Sequence, residues 1–282
     1  MIIFKRSSDL QNFIKTRIDS SLTIGFVPTM GALHQGHLSL LKKSKELSDK
    51  SICSIFVNPV QFNNPTDFKK YPKTIESDIL LLEENGCDIL FLPSEDEIYP
   101  DKNSRNKHFE LGHLETILEG KFRPGHFQGV CLVVDRLLNI VDPDTIFIGQ
   151  KDFQQCKVIE RLIELTKRKT NVVICPIIRE SSGLAMSSRN LRLSEGERNT
   201  ASELYATLTF IKNHLTTDNF LSLKQTAISA LEEKGLAVEY LELASENNLK
   251  LISEFTKGDE RVLLIAAFLN EVRLIDNLLI KE

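Results

Sequence analysis

Pro28-Thr29-Met30-Gly31-Ala32-Leu33-His34-Gln35-Gly36-His37 follows an apolar run at 22–27 and precedes a helix-patterned segment at 37–47. Two histidines three residues apart therefore stand where a strand turns into a helix. A helix start presents unpaired backbone N–H groups and the positive end of the dipole, a ready place for phosphate. Gly31 and Gly36 bracket the histidines and allow a tight turn with close approach of a ligand. Imidazoles at such a place can steady charge that builds on a phosphate in a transition state. The combination points to a nucleotide that is split as well as held. Zinc is a weaker reading, because no third ligand lies at a suitable spacing.

Outward from this stretch, strand-like and helix-like segments alternate. Residues 22–27, 51–57, 88–92, 145–148 and 171–175 read as buried strands, and 37–47, 74–84, 128–141 and 153–166 as helices. Continuous apolar strands separated by helices imply an α/β fold with a doubly wound, Rossmann-like parallel sheet. Ligands of such sheets bind beyond the carboxyl ends of the strands. The polar segment 93–123 interrupts the alternation and is expected to be an excursion with a short helix at 113–118. After residue 176 the texture changes. A capping box, Ser194 with Glu197, opens a helix expected to reach 214. A second helix is expected at 221–233, and strands at 237–243, 262–268 and 271–275. The expected organisation is a Rossmann-like domain over 1–176 and a smaller α+β domain over 177–282.

Composition narrows the class. With 35 basic and 39 acidic residues the net charge is −4, which makes no case for nucleic-acid binding. No apolar stretch has the length of a membrane span, and the N-terminal residues lack a signal-peptide pattern. The 5 cysteines are scattered, without a C-x-x-C pair, and read as buried reduced thiols of a cytoplasmic protein.

Three further clusters carry chemistry. Gly149-Gln150-Lys151-Asp152, with Gln154-Gln155 behind it, ends a strand. There Lys151 can meet a phosphate and Asp152 a ribose hydroxyl, or Asp152 can simply cap a helix. Met186-Ser187-Ser188-Arg189-Asn190 offers hydroxyls and an arginine fork for polyphosphate, or serves as an inter-domain linker. Asn58 and Gln61, polar groups among apolar ones in Phe56-Val57-Asn58-Pro59-Val60-Gln61-Phe62, can orient a small hydroxylated ligand. A turn at Asn58-Pro59 is the simpler reading.

The HxGH signature at 34–37 resembles that of the nucleotidyl-transfer superfamily that includes class I aminoacyl-tRNA synthetases. Within it, the four motifs together resemble the pantothenate synthetase (pantoate–β-alanine ligase) family in order from about residue 20 to 195. The likeness extends to His126-Phe127-x-Gly129-Val130 and to Arg179-Glu180-x-x-Gly183-Leu184-Ala185. The resemblance implies condensation of pantoate with β-alanine through a pantoyl adenylate made from ATP, with AMP and pyrophosphate released. It implies that Met30, Gly31, His34, Gly36 and His37 cradle ATP, with His34 and His37 on the α- and β-phosphates. It further implies ATP contacts by Gly149, Lys151, Asp152, the Ile178 backbone, Met186, Ser187, Ser188 and Arg189. His34, His37, Lys151 and Arg189 would be the catalytic set. Gln61, Gln155, Asn58 and Met30 would serve pantoate and β-alanine. Mg²⁺ bridging the phosphates and a homodimer are implied in the same way. Gln150 and Ser182 depart from the family's usual Glu and Asp. A nucleotidyltransferase with a stable adenylylated product, or a non-catalytic nucleotide-binding module, are the alternatives.

Overall fold

The computed structural model describes residues 1–101, 105–256 and 258–281. Residues 102–104 of the expected excursion lie outside the described residues. The chain forms two compact units, residues 1–149 with 155–176 and residues 150–154 with 177–282.

The first unit is a six-stranded parallel sheet with helices between its strands. In chain order it contains β1 (Ile2–Phe4), α1 (Ser7–Arg17), β2 (Ile24–Thr29), α2 (Gln35–Leu47) and β3 (Lys50–Ile55). Then follow α3 (Pro65–Lys70), α4 (Ile75–Glu84), β4 (Ile89–Phe91), α5 (Glu95–Ile98), α6 (Leu118–Phe122) and α7 (His126–Val141). β5 (Thr145–Gly149), α8 (Phe153–Thr166) and β6 (Asn171–Cys175) complete the series. The strand order is β1-β4-β3-β2-β5-β6, and every pairing is parallel. The chain moves from β2 to β3 on one side and reaches β5 and β6 on the other. The switch in direction therefore falls between β2 and β5, where open α/β sheets place their ligands.

The buried strands read as expected. Phe26, Val27, Ile52, Leu90, Phe91, Ile146 and Phe147 are all sealed from solvent, as a sheet covered on both faces requires. β1 and α1 are additions that the sequence patterning left unmarked. β1 is only three residues long and keeps Ile2 and Ile3 exposed at the sheet edge, so no alternation or apolar run could mark it.

The second unit holds α9 (Glu195–Ala201), α10 (Glu203–His214) and α11 (Phe220–Glu233). These pack through Leu204, Leu208, Ile211, Phe220, Ala227 and Leu231 with the antiparallel sheet of β7 (Leu236–Ser245), β8 (Arg261–Leu269) and β9 (Val272–Ile280).

Two expected helices take a different form. The segment expected as one helix from 194 to 214 is two, divided at Ser202, although the Ser194–Glu197 capping box opens the first as anticipated. The short helix expected at 113–118 is a 3₁₀ turn, Gly112–Glu115, followed by α6. Leu118, the first residue of α6, has φ of 45°, and a left-handed residue there cannot continue the preceding right-handed turn.

Candidate active site

The HxGH loop in the first unit is built from both sides. After β2, Gly31 (φ 79°) and Ala32 (φ 49°) turn the chain sharply toward α2. The loop's backbone donors close on one buried carboxylate, Asp78, which is 1% exposed. Ala32 N–H donates to its Oδ2 at 2.9 Å and Leu33 N–H to its Oδ1 at 2.8 Å, and Thr74 Oγ1 donates to both oxygens at 3.1 and 3.2 Å. Asp78 lies in the first turn of α4, where the helix dipole favours a negative charge. A Cβ at Gly31 would stand 3.0 Å from Asp78 Oδ2 and 3.1 Å from Ile55 Cγ2, so glycine here answers both the positive φ and the close approach.

The two histidines cap α2. His34 Nδ1 accepts the Gly36 N–H at 3.1 Å, and His37 Nδ1 accepts the His34 N–H at 3.3 Å. The pair performs reciprocally what Ser and Glu do in an ordinary capping box. A ring nitrogen that accepts carries no proton, so each neutral imidazole holds its hydrogen on Nε2. The sequence places two imidazoles at a helix start; the fold gives each of them an Nε2–H donor.

Beyond β3, Asn58 is 1% exposed and its carboxamide is fully committed. Its Oδ1 accepts from Val60 N–H at 3.3 Å and from Tyr99 OH at 2.9 Å. Its Nδ2 donates to Gln61 Oε1 and to Gly129 O, each at 3.1 Å. Burial pushes the Tyr99 phenol well above its ordinary pKa, which keeps it a neutral donor. With Oε1 held by Asn58, the Gln61 amide presents Nε2, which reaches Met30 Sδ at 3.3 Å. The Gln61 carbonyl accepts from His126 Nδ1 at 2.7 Å. α7 comes in so closely that a Cβ at Gly129 would lie 2.6 Å from Val60 O and 2.8 Å from Gln61 Cα.

Met30 and Gln61 are thus brought together, with Asn58 behind them as their support. Thr29 pairs with Ile55, and β2 pairs with β5 through Phe26 and Ile146. The ends of β2, β3 and β5, and so the starts of the Met30, Asn58 and Gly149 segments, therefore share one edge of the sheet. Gln155, in the first turn of α8, is half-buried, and its side-chain amide makes no hydrogen bond among the described residues.

The second unit carries the remaining residues. Lys151 and Asp152 form an ion pair at 3.3 Å within the 3₁₀ turn Gln150–Asp152. Residues 178–186 make a tight hairpin, with Met186 N–H donating to Ile178 O at 2.9 Å and Glu180 N–H to Leu184 O at 2.8 Å. Gly183 (φ 91°) turns it, so the breaker cluster at 181–183 is a hairpin tip. Ser187 Oγ then caps a 3₁₀ turn, Ser188–Arg192, by accepting Arg189 N–H at 3.2 Å. Asn190 joins turn to hairpin, donating to Glu180 Oε1 at 2.9 Å and Ala185 O at 3.1 Å.

Arg179 clamps Asp276 with its two terminal guanidinium nitrogens, at 2.6 and 3.0 Å, while stacking 3.8 Å over the Tyr205 ring. Burial nevertheless pushes the Asp276 carboxyl above its ordinary range, with Arg179 opposing.

Sequence reading missed Asp78, Tyr99, Asp276 and Asn277. None lies in a motif; each acts on a segment 41 or more residues away, and local patterning carries no sign of that.

The profile of the family described as pantoate–β-alanine ligase matches residues 2–279. A pantothenate synthetase of Cytophaga hutchinsonii is 46% identical over 92% of each chain. One of Flavobacterium psychrophilum is 42% identical over the whole of both chains. Among solved structures, a pantothenate synthetase of Thermus thermophilus superposes with a TM-score of 0.91 at 35% identity over the full length of both chains. A pantoate–β-alanine ligase of Francisella tularensis, complexed with beta-gamma ATP and beta-alanine, gives 0.83 at 37% identity, covering 99% of this chain and 97% of the other. Sequence and fold agree: the chain is an enzyme of the pantoate–β-alanine ligase family.

Proposed function

We propose that the chain joins pantoate to β-alanine in two steps at the HxGH loop, with ATP as the activating substrate. A free carboxylate is a poor acyl donor. A pantoate carboxylate oxygen attacks the α-phosphorus, the bond to the bridging oxygen breaks, and pyrophosphate leaves with that electron pair. The β-alanine amine then attacks the acyl carbon of the resulting mixed anhydride. AMP departs with the acyl–oxygen bonding pair, and the proton lost by the amine nitrogen passes to solvent water.

The observation that carries this reading is the histidine capping box. With both Nδ1 atoms accepting, His34 and His37 meet phosphate as neutral Nε2–H donors, and neither needs to be an acid. Charge that grows on the α- and β-phosphate oxygens is steadied by these donors and by the α2 N-terminus. Gln61 Nε2 and the uncommitted Gln155 amide suit the hydroxyl and carboxylate of pantoate. Met30 lines that position, and Asn58 acts by holding Gln61. Lys151 and Arg189 are assigned to phosphate, Asp152 to ribose, the Ile178 backbone to adenine, and Met186, Ser187 and Ser188 to the triphosphate. Gly31, Gly36 and Gly149 let the backbone approach the nucleotide.

Among the described residues no group of three His, Cys, Asp or Glu side chains is placed to hold a metal. The family resemblance implies Mg²⁺, which would enter with ATP and supply charge neutralisation on the phosphates, with few protein ligands. No helix among the described residues is long and apolar enough to cross a membrane. A cytoplasmic homodimer belongs to the same proposal and rests on the family resemblance.

The deciding assay follows pyrophosphate and AMP separately. Pyrophosphate release that needs pantoate, with AMP released only on adding β-alanine, is the expected outcome. A stable adenylylated product that β-alanine leaves untouched would mean a nucleotidyltransferase. His37→Ala is expected to lower turnover by roughly 10²-fold or more while ATP binding falls much less.

A further inference from the structure

Asn277 on β9 is 1% exposed, yet none of its side-chain hydrogen bonds serves its own sheet. Nδ2 donates to two successive backbone carbonyls, Gln150 O and Lys151 O, both at 2.9 Å. Oδ1 accepts from Gln150 Nε2 at 3.0 Å. Two carbonyls facing one end of the amide leave only its NH₂ there, so the other end must be the acceptor and Gln150 must present its own NH₂. The orientation of both amides is therefore set by the arrangement itself.

What this carboxamide grips is a three-residue 3₁₀ turn, too short to hold its own geometry. Asn277 is itself held on both backbone atoms. Its N–H donates to Asp276 Oδ1 at 2.7 Å, and its carbonyl accepts from Arg179 Nη2 at 3.2 Å. The Arg179–Asp276 pair is buried and bidentate, and the Arg179 guanidinium is stacked on Tyr205. A continuous chain of contacts thus runs from Tyr205 through Arg179, Asp276 and Asn277 to the backbone on either side of the Lys151 Cα.

We propose that Asn277 is a positioning residue for adenylation: its carboxamide, matched to that of Gln150, fixes the 150–152 turn and so aims the Lys151 ammonium. The inference rests on the assignment of Lys151 to phosphate. A lysine on a flexible stem delivers its charge usefully only if its root is fixed, because small misplacements of a charged group cost large factors in rate.

A double-mutant cycle on the full chain tests it, with ATP-dependent pyrophosphate release as readout. Asn277→Asp keeps the shape but turns a carboxylate oxygen toward two carbonyls. It is expected to lower kcat/KM for ATP by about 10- to 100-fold, together with a lower thermal midpoint, because a buried carboxylate then faces two acceptors; the cycle, which compares rates across backgrounds, separates positioning from that loss. In a Lys151→Ala background the same change is expected to cost no more than about twofold further, since coupled residues are non-additive. Should Asn277→Asp fail to fold, Asn277→Ser carries the same cycle, because the shorter side chain cannot reach both carbonyls. Wild-type kinetics in the clasp variant with an impaired Lys151→Ala, or an equal penalty in both backgrounds, overturns the positioning role alone. Wild-type kinetics in Lys151→Ala itself removes the phosphate assignment, and the inference falls with it.

Discussion

His37 Nδ1 accepts the backbone N–H of His34 at 3.3 Å, with the two imidazole rings 4.1 Å apart between centroids. A histidine that serves as a cap acceptor cannot also be protonated at that nitrogen. Nitrogen-15 spectra of the imidazoles at neutral pH, without nucleotide, are expected to show the Nε2–H tautomer for both residues. An Nδ1–H form of either ring would remove the basis for neutral Nε2 donors on phosphate.

Asp78 is the anchor of the HxGH loop. Asp78→Ala strips acceptors from two backbone donors and from Thr74. A loss of roughly 2–4 kcal/mol in urea unfolding is expected, because the donors left behind are buried. The KM for ATP should rise in the same variant, since Gly31 to His34 lose their register. A variant with unchanged unfolding midpoint and unchanged KM would show that the loop holds itself.

Gly129 sets the distance between α7 and the turn after β3. Gly129→Ala places a methyl against Val60 O and Gln61 Cα, and backbone atoms cannot swing aside. Overpacking of this kind costs about 1–3 kcal/mol. Steady-state kinetics are expected to show KM for pantoate rising by about tenfold, with KM for ATP nearly unchanged, because the shift falls on Gln61. Equal changes in both constants would argue for general disruption.

Glu97 fastens the start of α1. Its Oε2 accepts from Ser7 Oγ at 2.6 Å and Ser7 N–H at 2.9 Å, and these bonds hold its carboxyl below the ordinary glutamate value. A depressed folded pKa means the tether is whole above the usual glutamate range and fails as pH falls through the native value. Amide exchange at Ser7 should accelerate across that acid window, and Ser7→Ala should return the Glu97 titration toward its ordinary position. An unchanged titration in that variant would assign the depression elsewhere.

The elements that surround the site were legible because they have strong local patterns. β2, β3 and β5 are short buried segments built mainly of Ile, Phe, Val and Cys, and a glycine-bracketed His-x-x-His after a strand signals a turn into a helix. The sequence marks Gln61 as a polar group among apolar ones, and its amide reaches Met30 Sδ. Asn58 was singled out beside it, but its polar atoms are consumed within the fold; a chain pattern distinguishes polar from apolar and cannot tell which polar groups are already bonded. α1 stayed unread because its apolar face is short, Leu10, Phe13 and Ile14, with Leu10 alone fully buried.

The linear chain alone decided the class of fold, the order of strands and helices around the site, and the four segments that carry its polar groups. All of these rest on spacings of a few residues. Three-dimensional folding alone decided which nitrogen of each histidine bears the proton, that Asp78 closes the loop, and that Asn277 reaches back across 127 and 126 positions to the Gln150–Lys151 backbone. Such hydrogen bonds depend on directions and distances between atoms far apart in the chain, and those exist only once the sheets have formed.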